Sequence, residues 1–155
     1  MSREPRPTVL ATDHTSFTVA DLDRSLAFWR DVMGFEVSGI VEPDPRFAAD
    51  LTGLAGARAR IAFVFAPGHK LELIEYRHPP GRDGPPPRPC DPGFAHVAFQ
   101  VADIEAAAAA ITAAGWRTMG GIETVPTGPR RGGRVVYLRA PDGVAVELMQ
   151  APPSP

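Results

Sequence analysis

The sequence lacks the features that mark several large classes of protein. It has one cysteine, Cys90, in 155 residues, which excludes an internal disulfide and is typical of a reducing compartment. Its formal net charge of −2 is unlike that of nucleic-acid-binding proteins, and no basic run favours anionic lipid. No apolar run has the length of a membrane span, and the polar first eight residues lack the apolar core of a signal peptide. We therefore expect a cytoplasmic protein with neither a nucleic-acid nor a membrane partner.

One stretch of the chain occurs twice. In residues 13–23, polar and apolar side chains alternate as in a half-buried strand, and Asp21 then stands where a helix would begin. Residues 95–105 repeat this pattern, with His96 in the place of His14 and Asp103 in the place of Asp21. A repeat of this kind predicts a duplicated fold.

Each copy begins the same succession of predicted elements, which is one strand, a helix and then three more strands. In the first copy the helix ends at Gly34, a short helix is expected within 46–54, and the strands are 35–41, 60–65 and 70–76. In the second copy the order is strand 94–101, helix 104–114, and strands 116–120, 134–139 and 144–150. Both copies therefore predict a βαβββ module.

Proline separates the two modules. Residues 77–93 contain too many prolines for a helix or a central strand, because proline lacks an amide donor and has a fixed φ. We therefore predict an α+β fold with two tandem βαβββ modules, residues 10–76 and 94–150, joined by the Pro-rich linker 77–93. A disordered lead-in, residues 1–9, and a Pro-rich tail, residues 151–155, complete the chain.

The last predicted strand of each module contains a glutamate between large apolar residues. Glu72 and Glu147 occupy equivalent positions, and a carboxylate in an apolar strand is costly unless it is paired or bound to a metal. Each module thus has one histidine on its first strand and one glutamate on its last. Imidazole and carboxylate are ligands of divalent transition metals. One such residue alone is more often structural, but four at matched positions predict a metal site.

These motifs resemble those of the vicinal oxygen chelate superfamily, which includes glyoxalase I, methylmalonyl-CoA epimerase, extradiol dioxygenases and fosfomycin or bleomycin resistance proteins. The matching motifs are Asp13-His14, Phe28-Trp29, Leu71-Glu72-Leu73, Ala95-His96-Val97-Ala98 and Pro141-Asp142-Gly143 with Glu147-Leu148. The resemblance implies sheets that curl into a mixed half-barrel around a divalent ion (Ni, Zn, Co, Mn or Fe). It also implies a homodimer, and it assigns the metal ligands to His14, Glu72, His96 and Glu147.

The resemblance further implies a metal-dependent lyase or isomerase of the glyoxalase or epimerase type. A complete His/Glu/His/Glu set fits that branch better than the dioxygenases, which use three protein ligands, or the metal-free binding proteins. The chemistry of such a site is proton abstraction next to a carbonyl, in which the metal stabilises an enediolate. Glu72 and Glu147 are the candidate acid and base. A non-catalytic protein that binds a small molecule or an antibiotic, and an extradiol-type dioxygenase, are the alternatives.

Strand alternation predicts which other side chains share the face of these ligands and contact a small-molecule substrate. They are Ser16, Thr18, Gln100, Tyr137 and Met149. This mixture of polar and apolar groups fits a modest organic substrate. Loop 127–134 adds Arg131, since arginine binds carboxylate and phosphate groups, although a solvated basic loop is an equally good interpretation. Whether the metal site forms within one chain or across two depends on how the linker folds back.

Overall fold

The computed structural model describes residues 6–153. The outer parts of the predicted lead-in and tail, residues 1–5 and 154–155, lie outside the described residues. Residues 6–14 are exposed and contain neither helix nor strand. Within residues 6–153, no helix combines the length and the apolar character needed to cross a membrane.

The first module is a four-stranded sheet with two helices. Its elements are β1 (Thr15–Thr18), α1 (Leu22–Ala27), β2 (Glu36–Val37), α2 (Pro45–Thr52), β3 (Arg58–Ala66) and β4 (His69–His78). Helix α1 packs against β3 and β4, and the second helix, α2, packs against β3. The strand order is β1-β4-β3-β2, with β1 parallel to β4 and the other neighbours antiparallel. The parallel pair places Ser16 opposite Glu72.

The second module repeats this strand arrangement. Its elements are β5 (Val97–Gln100), α3 (Ile104–Ala113), β6 (Arg117–Thr118), β7 (Glu123–Thr124), β8 (Arg134–Arg139) and β9 (Ala145–Gln150). The short strand β7 has the chain position that helix α2 has in the first module. The order is β5-β9-β8-β6, and β7 also pairs with β8. Ala98 lies opposite Glu147, as Ser16 does opposite Glu72. The two mixed sheets confirm the predicted α+β fold with an internal repeat.

The predicted helix starts and stops are confirmed in the first module. The Asp21 carboxylate accepts a hydrogen bond from the Arg24 amide at 2.9 Å, which caps the N-terminus of α1. After Ala27 the helix continues as a π-helical turn, Phe28–Val32, which the apolar spacing did not distinguish from α-helix. Gly34 follows with a φ of +72°, the left-handed conformation in which glycine ends a helix.

The predicted strand 35–41 is shorter in the structure. Only Glu36–Val37 form β2, and Val41 makes an isolated bridge with Ile61. Between them the Ser38 hydroxyl accepts the Phe63 amide hydrogen bond at 2.8 Å, so a side chain replaces part of the strand ladder. Such local side-chain bonds compete with regular strand pairing, and alternation alone does not reveal them.

Other boundaries differ from the prediction in both modules. Strand β4 continues through Arg77 and His78, two residues that the sequence placed in the linker. Strand β5 begins at Val97 instead of residue 94, and β6 is only two residues long. Strand β7 lies in a segment predicted as loop, where it occupies the edge of β8 beyond β6.

One apolar core joins the two modules. Trp29 and Phe28 of the first module pack against Trp116 of the second, and the rings of Phe28 and Trp116 stack with centroids 4.2 Å apart. Trp29 is fully buried and also contacts Phe99, at 5.9 Å between ring centroids. Helices α1 and α3 and this core cover one face of each sheet, so the alternate side chains of β1, β4, β5 and β9 lie on the other face.

Candidate metal centre

The first half-site consists of His14 and Glu72. His14 directly precedes β1, and its Nε2 lies 3.3 Å from Oε2 of Glu72 on the neighbouring strand β4. The other ring nitrogen, Nδ1, lies 2.7 Å from Oδ1 of Asp13, an oxygen that Lys70 Nζ also contacts at 2.9 Å. These hydrogen bonds, first to His14 and then to Lys70, lower the pKa of the Asp13 carboxyl. Asp13 therefore stays ionised and holds Nε2 towards the glutamate.

The second half-site consists of His96 and Glu147 and has the same geometry. Nε2 of His96 lies 3.1 Å from Oε2 of Glu147. Both glutamates are largely covered, with 17% of the Glu72 side chain and 16% of the Glu147 side chain exposed. At the position equivalent to Asp13 this module has Ala95, so no neighbouring carboxylate orients the His96 ring.

An aromatic ring stands beside the histidine in each half-site, but the two rings differ. Phe63 is the register partner of Glu72, and Tyr137 is the register partner of Glu147. The Tyr137 ring meets the His96 ring edge to face, with centroids 4.9 Å apart. Burial, and after it the charge of Glu147, raise the pKa of the Tyr137 phenol. The Tyr137 hydroxyl is therefore a hydrogen-bond donor throughout the neutral pH range.

The second half-site opens into a cavity of about 420 Å³. Tyr137 and Glu147 line this cavity, together with Pro89 from the linker. The linker is fixed nearby, since Arg139 donates a hydrogen bond to the Pro87 carbonyl oxygen at 2.6 Å and lies over the Phe94 ring. A segment that the sequence indicated only as a spacer therefore forms one wall of the site.

Each His–Glu pair has the spacing of two ligands on one metal ion. Two atoms that are each about 2.1 Å from an ion lie about 3.0 to 3.4 Å apart at coordination angles between octahedral and tetrahedral. The observed separations of 3.3 and 3.1 Å match this range. Two ligands do not complete a site, however, because zinc sites use three or four protein ligands.

The structure does not bring the four predicted ligands together within one chain. Among residues 6–153, no group of three or more His, Cys, Asp or Glu side chains lies close enough to hold one ion. The arrangement in one chain is two separate half-sites, one on each sheet. Together the two half-sites supply two imidazoles and two carboxylates, a set that suits a divalent transition metal.

The other predicted substrate residues are distributed along the same strands. Ser16 and Thr18 are exposed on β1. Gln100 and Met149 are register partners that line a second cavity of about 200 Å³. Arg131 is exposed and is not part of either cavity wall at the second sheet, where Arg130 lies instead.

Three further residues of the site had no role assigned from the sequence. Asp13 orients His14, and the available signal was its position next to a predicted ligand. The sequence did not indicate Phe63, and it pointed to the arginine loop 127–134 through Arg131 without distinguishing Arg130 as the one in a cavity wall. The role of Phe63 depends on strand register, and Arg130 lies in a loop, where no periodicity indicates which way a side chain points.

Comparison with known proteins places this fold in a known family. The family model described as Glyoxalase/Bleomycin resistance protein/Dioxygenase superfamily matches residues 11–148. A 2-epi-5-epi-valiolone epimerase from Actinomyces sp is 38% identical over 151 residues, which are 94% of this chain and 82% of that protein. A lactoylglutathione lyase from Haemophilus influenzae is 28% identical over 139 residues, which are 88% of this chain and 90% of that protein.

The solved structures show the same fold. A glyoxalase family protein from Bacillus cereus superposes with a TM-score of 0.80 at 23% identity, over 96% of this chain and 98% of that chain. At that identity the likeness concerns the fold, and the family model extends from before His14 to beyond Glu147. The resemblance inferred from the motifs is confirmed: the chain belongs to the glyoxalase/bleomycin resistance protein/dioxygenase superfamily.

Proposed function

We propose that this protein is a divalent-metal-dependent lyase or isomerase that moves a proton on a carbon next to a carbonyl, and that it is of the epimerase type. The observation that carries the proposal is the His–Glu pair with ligand spacing, present once on each sheet. Members of the superfamily commonly use divalent metals. The relative named as an epimerase shares 38% identity and the one named as a lyase 28%, which favours epimerisation over lyase chemistry.

We propose that the complete metal site forms in a homodimer. His14 and Glu72 of one chain would hold the ion together with a second copy's equivalents of His96 and Glu147, since the described part of one chain offers only pairs. When bound, the metal withdraws electron density from the substrate carbonyl and stabilises the negative charge that develops as the proton leaves. A symmetric dimer would contain two such sites.

The two glutamates suit an epimerase because inversion at a carbon needs proton removal from one face and proton delivery to the other. Glu72 and Glu147 belong to different half-sites, so they would approach the substrate from different sides. One carboxylate oxygen accepts the proton while the other carboxyl returns one. The protonated Tyr137 hydroxyl and the Gln100 amide lie on the same sheet face as Glu147, and they would bind substrate oxygens.

Metal analysis and a substrate screen test the proposal. Protein purified without added metal should contain a divalent transition metal, and turnover should be sought first with 2-epi-5-epi-valiolone and then with other carbonyl and acyl-CoA compounds. In heavy water the epimerised carbon should gain deuterium. Oxygen consumption with bound iron would instead identify a dioxygenase, and tight ligand binding without turnover would identify a binding protein.

The variants Glu72→Gln and Glu147→Gln should each lower kcat by about 100-fold or more, the usual contribution of a general acid or base. Metal content measured on each variant separates loss of the base from loss of a ligand. Glu42→Gln, at a side chain that is 74% exposed, is the matched control and should keep normal activity. Full turnover by both site variants would refute the proposed mechanism.

A further inference from the structure

Arg139, the last residue of β8, is a buried cation on the site face of the second sheet. It is 5% exposed and comes two residues after Tyr137, so strand alternation places it on the face that carries Tyr137 and Glu147. Within residues 6–153 no carboxylate pairs with Arg139, and its buried Nε has no hydrogen-bond partner. A buried charge without an opposite charge is costly, so stability alone does not account for this arginine.

The guanidinium of Arg139 holds the linker against the sheet. Its Nη2 donates a hydrogen bond to the Pro87 carbonyl oxygen at 2.6 Å, and its central carbon lies 5.6 Å from the centroid of the Phe94 ring. Beside these contacts, Pro86 packs closely on the turn between β8 and β9, where a Cβ at Gly143 would lie 2.8 Å from the Pro86 Cβ. Residues 86–94, which we call the linker turn, are therefore fixed to the second sheet at both ends.

The linker turn also has hydrogen bonds of its own. The Asp91 carboxylate accepts hydrogen bonds from the Arg88 backbone amide at 2.7 Å and from the Arg88 guanidinium at 2.8 Å. The Phe94 amide donates to the Asp91 carbonyl oxygen at 3.1 Å. The turn is therefore a folded element that Arg139 can hold in one position, unlike a flexible spacer.

The linker turn reaches the second half-site through two of its residues. Pro89 lines the 420 Å³ cavity together with Tyr137 and Glu147. The Phe94 ring lies 5.9 Å from the His96 ring between centroids, and Tyr137 contacts the same histidine ring at 4.9 Å. A displaced turn would therefore widen the cavity and remove one neighbour of the His96 ring.

The first module has no equivalent of this clamp in the described part of the chain. At the position of Arg139 it has Phe65, because Phe63 and Tyr137 are the register partners of the two glutamates. Phe65 is 48% exposed, and residues 6–14, which precede β1, are exposed throughout. The clamp is therefore not a requirement of the repeated fold, and it belongs to one half-site only.

We propose that Arg139 is a positioning residue that limits the size of the substrate. It clamps the linker turn over the second half-site, so that Pro89 and Phe94 close one side of the cavity beside Glu147. The inference rests on the proposed function and adds a substrate class to it. That class is a compact carbonyl compound without a bulky substituent on the side of the linker turn.

A label on Cys90 tests the clamp without requiring turnover. Cys90 is the single cysteine of the chain and is exposed in the linker turn, so a trifluoromethyl group on its thiol reports the turn by fluorine NMR. Arg139→Met removes the charge and keeps an unbranched side chain, a replacement that is often neutral for stability at a buried charge. We expect one narrow signal from the wild type and a shifted, broadened signal from Arg139→Met. Arg117→Met is the matched control and should keep the wild-type signal, because Arg117 is exposed and is the register partner of Arg139 on β6.

Two further variants separate the clamp from a general disturbance of the fold. Arg139→Lys keeps the charge and a hydrogen-bond donor, so it should restore most of the wild-type signal. Phe94→Leu removes the ring beside the guanidinium, so it should change the signal in the same direction as Arg139→Met. A wild-type signal from both Arg139→Met and Phe94→Leu, or the same change in Arg117→Met, would overturn the proposal.

Substrate discrimination tests what the clamp does once a substrate is known. The ratio of kcat/KM for the compact substrate to kcat/KM for a homologue with a bulkier substituent should fall by about tenfold in Arg139→Met, within the range that one packed wall provides. Arg139→Lys should restore the ratio, whereas a general loss of folded protein would lower both values together. An unchanged ratio in Arg139→Met would overturn this inference and leave the proposed function standing. A mobile linker turn in Arg139→Met, in a protein without any metal-dependent turnover, would refute the proposed function and leave the clamp standing.

Discussion

Single side chains make the two half-sites chemically different, although the backbone repeats. Asp13 supports the ring of His14, whereas Ala95 stands next to His96. The hydroxyl that Tyr137 adds to the second half-site is absent from Phe63 in the first. The first half-site therefore has an ionised partner behind its histidine and an apolar wall, and the second has a hydrogen-bond donor in its wall.

The change Tyr137→Phe tests this difference and makes the second half-site wall like the first. The raised pKa keeps the Tyr137 hydroxyl protonated at neutral pH, so under the proposed function it would donate a hydrogen bond to a substrate oxygen. Losing one such bond, worth about 1 kcal/mol, should raise KM by about fivefold with unchanged metal content. Steady-state kinetics and metal analysis measure the two quantities.

The reciprocal change Phe63→Tyr is the control for Tyr137→Phe. It places a hydroxyl beside His14 instead of beside His96, on the opposite side of the proposed shared site, so it should not restore substrate binding when the two changes are combined. A KM of wild-type size in Tyr137→Phe would show that the phenol does not contact substrate.

At the level of elements, the last strand of each module carries a candidate ligand on one face and binds a helix on the other. Glu72 and Glu147 face the candidate site. On the opposite face, the Leu22 amide donates to Glu75 Oε2 at 3.0 Å, and the Ile104 amide donates to Gln150 Oε1 at 2.8 Å. Each strand therefore ties down the first turn of its own helix, which satisfies an amide that has no partner within the helix. This bond connects the position of the helix to the strand that carries the candidate metal ligand.

The Ser38 side chain supports the edge of the first sheet, and removing its hydroxyl should destabilise the fold. Its hydroxyl accepts the Phe63 amide, and Phe63 stands opposite Glu72. Ser38→Ala leaves that amide without its partner, so we expect the free energy of unfolding to fall by about 1 to 2 kcal/mol. Urea denaturation measures this free energy of unfolding. Ser16→Ala, at an exposed site on β1, should change it by less than about 0.5 kcal/mol, and equal effects of the two changes would contradict the assigned role of Ser38.

On the scale of the whole molecule, the shared core decides how the two half-sites are related. Trp29 and Trp116 come from different modules and meet edge to face with centroids 6.3 Å apart. Burying such large rings stabilises the fold by several kcal/mol, so the modules do not separate easily. The half-sites of one chain remain apart in this arrangement, and for this reason the proposed metal site takes its second pair of ligands from another copy of the chain.

Mixing two inactive variants tests whether the sites form across a dimer. One variant has His14→Ala with Glu72→Gln, and the other has His96→Ala with Glu147→Gln. In a mixed dimer with sites between chains, one site has all four ligands and the other has none. Equal mixing after unfolding and refolding should restore about one quarter of the wild-type activity and metal content, because half of the dimers are mixed.

Refolding each variant alone is the control and should restore nothing. No recovery in the mixture, with dimers shown by sedimentation, would mean that each site belongs to a single chain. Recovery of metal binding without activity would support the shared site and count against the proposed catalysis.

Much of the fold could be predicted because its signals are local. Alternation indicated the buried face of β1 and β5, Asp21 and Asp103 marked helix starts, and the repeat implied two similar sheets. These features depend on residues a few positions apart, whose conformational preferences act within the chain segment itself. The boundaries that differed, in β2 and β7, depend on hydrogen bonds to strands distant in sequence.

The sequence identifies the four candidate ligands, but only the tertiary structure determines which of them pair. The repeat alone identified His14, Glu72, His96 and Glu147 as equivalent positions. Parallel register between β1 and β4, and between β5 and β9, joined each histidine to the glutamate of its own module. The common core then kept the pairs apart, and the loop backbone placed Arg130 rather than Arg131 in the cavity wall. Long-range packing decides these contacts, because no short stretch of sequence contains both partners.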